Sequence, residues 1–187
     1  MFDRFGNFDS VEEINDQAEK LANEGDEDGL KELARENGIP QEAAELYLQG
    51  EVLQLVDVTE AAVGKLEVER QELAIEGLLE DWISYIESEC MESEKMARAV
   101  RRKRKSLNGC IAEMLLDSML NQKAVDETIL KIVEYEVKIR KIDLKKQAGM
   151  EPRWIKYTKI GFPGMAKARK LIRDYYLGIG GGTDVKI

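Results

Sequence analysis

The sequence predicts an all-α protein: a small acidic helical module followed by a basic helical bundle domain, with room for one minor β-hairpin. Three observations carry that expectation. Apolar residues recur at three- and four-residue intervals along most of the chain, residues that cap helices stand just before those runs, and glycines stand just after them. A run of about 18 apolar residues, as a membrane span requires, does not occur, so membrane roles are not expected.

Ser10-Val11-Glu12-Glu13 is a capping box, in which the serine oxygen accepts from the amide of Glu13 while that carboxylate reaches back. Val11, Ile14, Ala18, Leu21 and Ala22 then share one helical face, and Gly25 supplies a left-handed stop, which predicts a helix over 11–24. A second helix opens at Asp26, turns Leu30, Leu33 and Ala34 inward, and ends at Asn37-Gly38. Pro40 suits the first turn of a third, whose apolar face is Ala43, Leu46 and Tyr47 and whose stop is Gly50. Val52, Leu53, Leu55, Val56 and Val58 fit a strand or a helix; we read 51–70 as helical.

Leu78, Leu79, Trp82, Ile83, Tyr85 and Ile86 predict a stronger helix over about 73–91. Ser93 opens a helix with Met96, Ala99 and Val100, and Ser106 opens another with Leu107, Cys110, Ile111, Met114, Leu115 and Met119 on its apolar side. Asp126 caps a long helix reaching about Gln147. An irregular stretch over 151–160 leaves space for a short extended piece, and a last helix runs from near Pro163 to Leu177-Gly178. The glycine-rich tail from Ile179 is expected to be mobile. The expected partition is an acidic module over 1–72, a basic domain over 73–178 and a tail over 179–187.

Composition removes several chemistries. The 187 residues include no histidine, so Ser-His-Asp triads, Cys-His dyads and imidazole-ligated zinc are excluded. Two cysteines, Cys90 and Cys110, are too few for a disulfide scaffold and fit a reduced, cytoplasmic protein; among apolar helical neighbours they read as small core residues. The net charge of −9 conceals an asymmetry: residues 1–94 hold 27 acidic and 6 basic residues, a net of −21, and residues 95–187 hold 10 and 22, a net of +12. Opposite potentials on two parts of one chain bear on partners, because a basic face attracts polyanions and an acidic one repels them.

The run Arg101-Arg102-Lys103-Arg104-Lys105, extended backwards by Arg98 and Lys95, places seven cations in eleven residues. A phosphate backbone offers the matching anions, and each neutralised phosphate releases counterions. The plain alternative is a solvated helix end whose cations complement the macrodipole. Lys167, Arg169, Lys170 and Arg173 form a second basic group after the turn Ile160-Gly161-Phe162-Pro163-Gly164. That turn partly matches a helix-hairpin-helix element, but Ala166 and Lys170 stand where a glycine and a packed alanine belong, so an ordinary helix start is the better reading. Arg98, Arg101, Arg102, Lys103, Arg104, Lys105, Lys167, Arg169, Lys170 and Arg173 are the candidate nucleic-acid-binding residues.

Other patterns are weaker. Glu24-Gly25-Asp26-Glu27-Asp28-Gly29 opens like a calcium loop, yet Arg35 replaces the closing glutamate, so a helix junction is expected and no metal is assigned. Glu12, Glu13, Asp16, Glu19, Asp26, Glu27, Asp28, Glu32 and Glu36 fit either a soluble outer face or a mimic of a phosphate row. Glu113 and Asp117, four apart on one helix, are the carboxylates a divalent-metal ribonuclease would use, although two acids alone are a common surface pattern.

The order Trp82-Ile83-Ser84-Tyr85-Ile86, Lys105-Ser106-Leu107-Asn108-Gly109-Cys110, Val125-Asp126-Glu127 with Ile129 and Leu130, and Ile160-Gly161-Phe162-Pro163-Gly164 leading to Asp174-Tyr175-Tyr176-Leu177 resembles the PcfK-like domain of conjugative elements. That domain also occurs in anti-CRISPR proteins that inhibit type II RNA-guided nucleases. The similarity covers roughly residues 78–178 and departs from the compact form by an insertion between Leu130 and Thr158 and by the acidic leading segment. It implies a protein carried by a mobile element of Gram-positive bacteria that binds the nuclease or its guide-RNA complex, in some relatives with loss of guide integrity. It transfers no active-site residue and no cofactor. The expected function is therefore inhibition of a type II effector, with a DNA-binding accessory of conjugation or replication as the alternative.

Overall fold

The computed structural model describes residues 4–73 and 78–178. It is 71% helical, with a single two-stranded sheet among the described residues, so the protein is all-α with a minor β element. The order is α1 (Val11–Glu24), α2 (Glu27–Glu36), α3 (Gln41–Leu48), α4 (Val58–Leu73), α5 (Leu78–Glu92), α6 (Glu94–Arg101), α7 (Leu107–Leu120), β1 (Lys123–Ala124), α8 (Glu127–Ile139), α9 (Leu144–Ala148), a 3-10 helix (Pro152–Tyr157), β2 (Lys159–Ile160) and α10 (Met165–Leu177). The chain divides into two compact units: one runs to Glu113 and resumes at Met165, and the other is Met114–Gly164.

In the first unit α1 begins at its capping serine, whose oxygen accepts from Glu13 N at 3.2 Å while Glu13 accepts from Asp9 N at 2.8 Å. Val11, Ile14, Ala18 and Leu21 of α1 join Leu30, Leu33, Ala34, Ile39, Ala44, Leu55, Val56 and Ala61 in one buried cluster. The three short helices thus share a core with α4, within the expected 1–72 segment. Gly38 and Gly64 make that approach possible: a Cβ on Gly38, at φ +66°, would stand 2.2 Å from the Gly64 carbonyl oxygen, and a Cβ on Gly64 would stand 2.5 Å from the Asn37 oxygen. α4 packs on α5 and α6, and α10 packs on the same two helices, so residues on both sides of the expected boundary at 72 and 73 belong to one packed body. Trp82, Ile83, Ile86, Met96, Val100, Ile172 and Tyr176 are buried there.

Several expectations are corrected. Residues 51–57 are not helical. The Asn15 side chain accepts from Leu55 N and Val56 N and donates to Val56 O at 3.0 Å, which satisfies that backbone outside a helix, and Asp57 then caps α4 through Thr59 N and Glu60 N. Pro40 precedes α3 as its cap instead of opening it. The helix expected from Asp126 to Gln147 is two helices, broken where Lys141 takes φ 52° and Asp143 caps α9. The expected start near residue 73 of the helix that becomes α5 abuts residues outside the described ones, and the glycine-rich tail lies outside them entirely.

The second unit is sparser. α8 packs on the 3-10 helix, Leu130 of the one and Ile155 of the other being buried, and β1 pairs antiparallel with β2, Lys123 opposite Ile160. The turn after β2 presses on the end of α7, where a Cβ on Gly161 would stand 1.9 Å from the Ser118 carbonyl oxygen.

Candidate functional site

The basic run begins where α6 ends. Ser93 caps that helix by accepting from Met96 N at 3.3 Å, and Met96, Ala97, Ala99 and Val100 form its buried face. Continuing the same register carries Arg101 inside, where it is 1% exposed. Its Nη2 donates to Asn37 Oδ1 at 2.7 Å and its Nη1 to Asn7 Oδ1 at 3.4 Å, while its Nε is buried with no partner. Burial draws the guanidinium down to about 10, opposed by the charges of Glu69, Glu13 and Asp9.

The turn after α6 is shaped from α4. The Lys65 ammonium, wholly buried, donates to the carbonyl oxygens of Val100 at 2.9 Å, Arg102 at 2.7 Å and Lys105 at 2.5 Å. Glu69, one helical turn along, lies 3.8 Å from that ammonium and accepts from Leu107 N at 2.7 Å, so the two side chains together fix the turn and the start of α7. Burial draws Lys65 down to about 8 against the pull of Glu69, and burial raises the Glu69 carboxyl. Three carbonyls around one ammonium satisfy acceptors that the end of α6 would otherwise leave open.

The ten candidate cations sort into three environments. Arg101 and Lys105 are interior: Lys105 is 7% exposed, with its ammonium 4.7 Å above the Tyr175 ring, and Tyr175 in turn accepts from Ser106 N at 3.1 Å. The expected row of five outward cations therefore does not form at its two ends, because the run closes a turn whose first and last side chains point into the core. Arg98 and Arg173 are paired. Arg98 reaches Glu12 at 2.6 Å and Glu94 at 2.8 Å, and its hydrogen bond holds the Glu12 carboxyl below its usual value. Arg173 grips Glu89 with two bonds of 2.8 and 2.5 Å, which lowers Glu89.

Arg102, Lys103, Arg104, Lys167, Arg169 and Lys170 are exposed. Arg169 stacks 5.0 Å over Tyr85, and Lys170 lies 3.7 Å from Asp174. The turn after α6 and the helix α10, more than sixty residues apart in sequence, belong to one unit in which α10 packs on α6 and α5.

The acidic candidates are largely engaged in folding. Glu36 is 1% exposed and accepts from Arg4 N at 2.6 Å and Phe5 N at 3.1 Å, so it lies off any outer row. Glu32 pairs with Arg35, and Asp26 caps α2 through Gly29 N while bonding Arg4, so the stretch that opens like a calcium loop is a helix junction. Asp16, Glu19, Glu27 and Asp28 remain outward. Cys90 and Cys110 are buried, and burial pushes both thiols up to about 12, which keeps them protonated near neutrality. Asp117 Oδ1 accepts from Asn121 at 2.9 Å, and among the described residues no group of three or more His, Cys, Asp or Glu side chains is arranged to hold a metal.

Sequence reasoning missed Lys65, Glu69 and Asn37, the residues that hold the basic turn. A signal existed in Lys65: a lone cation between Ala61, Ala62 and Leu66 on an otherwise apolar face, with Glu69 four residues on. No family model, curated protein or solved structure matches the chain.

Proposed function

We propose that the protein is a binding inhibitor that docks on a type II RNA-guided nuclease or its guide-RNA complex. The single observation that carries the reading is that one packed unit carries exposed cations from two separate basic groups: Arg102, Lys103 and Arg104 after α6, and Lys167, Arg169 and Lys170 on α10. Each phosphate that such side chains neutralise adds to a salt-dependent affinity. The outward acids Asp16, Glu19, Glu27 and Asp28 supply the opposite character for the positive channel in which such nucleases hold a heteroduplex. The reading is one of binding; protonated thiols and the lack of histidine remove thiolate and imidazole chemistry.

The test is a pull-down with purified type II effector, with and without guide, followed by a gel of the guide. Capture that is lost in the triple variant Arg102→Ala, Lys103→Ala, Arg104→Ala, with the guide intact, supports the proposal. Equal capture by that variant removes the basic turn from it. Binding of the isolated protein to DNA with a steep salt slope, and none to the effector, replaces it with an accessory role in plasmid transfer or replication.

A further inference from the structure

Helix α8 presents more apolar surface than its own chain covers. Leu130, which is buried, and Val137, which is half-buried and seven residues on, mark the side turned to the second unit, where α8 packs on the 3-10 helix. Glu127, Lys131, Glu134 and Lys138 form a charged strip along the next side. The remaining side carries Ile129, Ile132, Val133, Tyr135 and Ile139, each 41–61% exposed. At 3.6 residues per turn the apolar positions span roughly 220° of the helix, about twice the arc that one core face needs. A helix so patterned is suited to being covered from two directions, and its own chain covers it from one.

The size and charge of the uncovered side select its occupant. Five large side chains at that exposure amount to a patch on the order of 400 Å², the size at which apolar surface marks a contact with another molecule. Trp154 and Tyr157, three apart on the 3-10 helix that α8 packs against, are 48% and 68% exposed. A standard interface takes about 800 Å² from each partner, so this surface suits a reversible contact. The ionic groups on that side are Glu136 and Arg140, joined to each other at 2.7 Å. A partner of one charge sign therefore meets no net charge there.

A second α8 running the opposite way fits end to end. With a two-fold axis level with Glu134, Ile129 of each copy faces Ile139 of the other, and Ile132 faces the methylenes of Glu136. Arg140 then lies beside Thr128 at the acidic start, Asp126 and Glu127, of the opposite helix, and the two helix dipoles also oppose. A parallel pair would set Glu136 against Glu136 and Arg140 against Arg140, which is repulsive. The second unit, with 7 acidic and 10 basic residues, also resists self-association less than the first, with 30 and 18.

We infer that the uncovered side of α8 is a self-association face, through which two copies of this chain pair antiparallel as a symmetric dimer. The inference goes beyond the nuclease reading and does not rest on it.

Sedimentation equilibrium of the full chain over about 1–100 µM tests it, and the mass is expected to rise from that of one chain to that of two. Ile132→Glu is expected to weaken pairing at least about tenfold with unchanged circular dichroism, because Ile132 is 57% exposed in the single chain. Ile132→Gln, which adds no charge, is expected to act in the same direction. Orientation is read by cysteine pairing under mild oxidation, since Cys90 and Cys110 are buried. An equimolar mixture of Ile129→Cys and Ile139→Cys chains is expected to form the mixed disulfide, and either chain alone is not. A one-chain mass throughout the range overturns the inference, as does a dimer that both Ile132 variants leave intact, or a cross-link formed by either cysteine variant alone.

Discussion

The two compact units are built to different standards of packing. Among the described residues, 28 apolar side chains are buried in the first unit and four, Met114, Leu130, Ile155 and Pro163, in the second. The exposed large apolar residues run the other way, with 13 in Met114–Gly164, including Met119, Leu120, Ile132, Ile139 and Phe162, and five in the first unit. Charge divides along the same line. The first unit carries 30 acidic and 18 basic residues, and the second 7 and 10. The fold has drawn the Arg98–Lys105 run and α10 onto the acidic helices and left the 51-residue stretch between them mildly basic and thinly packed. Apolar burial is the main source of stability, so the first unit should hold most of it.

The sharpest way to break that contrast is to empty each core in turn. Trp82→Ala should cost about 3–5 kcal/mol, whereas Leu130→Ala should cost about 2 kcal/mol because its thin surroundings can collapse. Trp82, 1% exposed, and Trp154, 48% exposed, stand in different units, so urea unfolding followed by fluorescence in Trp154→Phe and Trp82→Phe backgrounds reads each separately. Coincident transitions of equal stability would remove the contrast. Lys65→Met, which leaves three carbonyls and Glu69 without their buried cation, should cost about 3–5 kcal/mol, and fast amide exchange over 103–107 should accompany it.

Gly161→Ala should cost about 1–3 kcal/mol through its clash with the Ser118 oxygen, and only the Trp154 signal should respond. The smallest effect is the loss of the Glu89–Arg173 pair in acid. The folded Glu89 carboxyl lies below its unfolded value, so its stabilisation is complete above about pH 4.5 and fades as pH falls through the folded value. An Arg173→Met variant should therefore lose less stability than the parent protein on acidification between neutral pH and pH 3, as read by thermal unfolding.

Much of the fold was legible because its signals are local. Ser10, Asp26, Ser93 and Asp126 cap helices where a side chain followed by an apolar period said they should, and Gly25 takes the left-handed turn at φ 71°. What stayed hidden depends on distant partners. Nothing near Leu55 and Val56 in sequence announces that Asn15, forty residues earlier, holds their backbone out of a helix. The break at Lys141 sits between residues whose helical pattern continues past it. For the candidate site, residue type was legible and direction was not: Arg101 and Arg104 look alike in a basic run, and the buried ammonium beneath the turn decides which faces inward.

That ammonium has a practical consequence for dissection of the protein. Its donor, Lys65, belongs to the front portion, and all three acceptors belong to the rear one. A truncated piece starting after α4 would lack the peg around which its arginine-rich bend is wound, and would report on a conformation the intact molecule does not have. Split halves mixed in one tube, rather than either half alone, are the fair starting material for mapping.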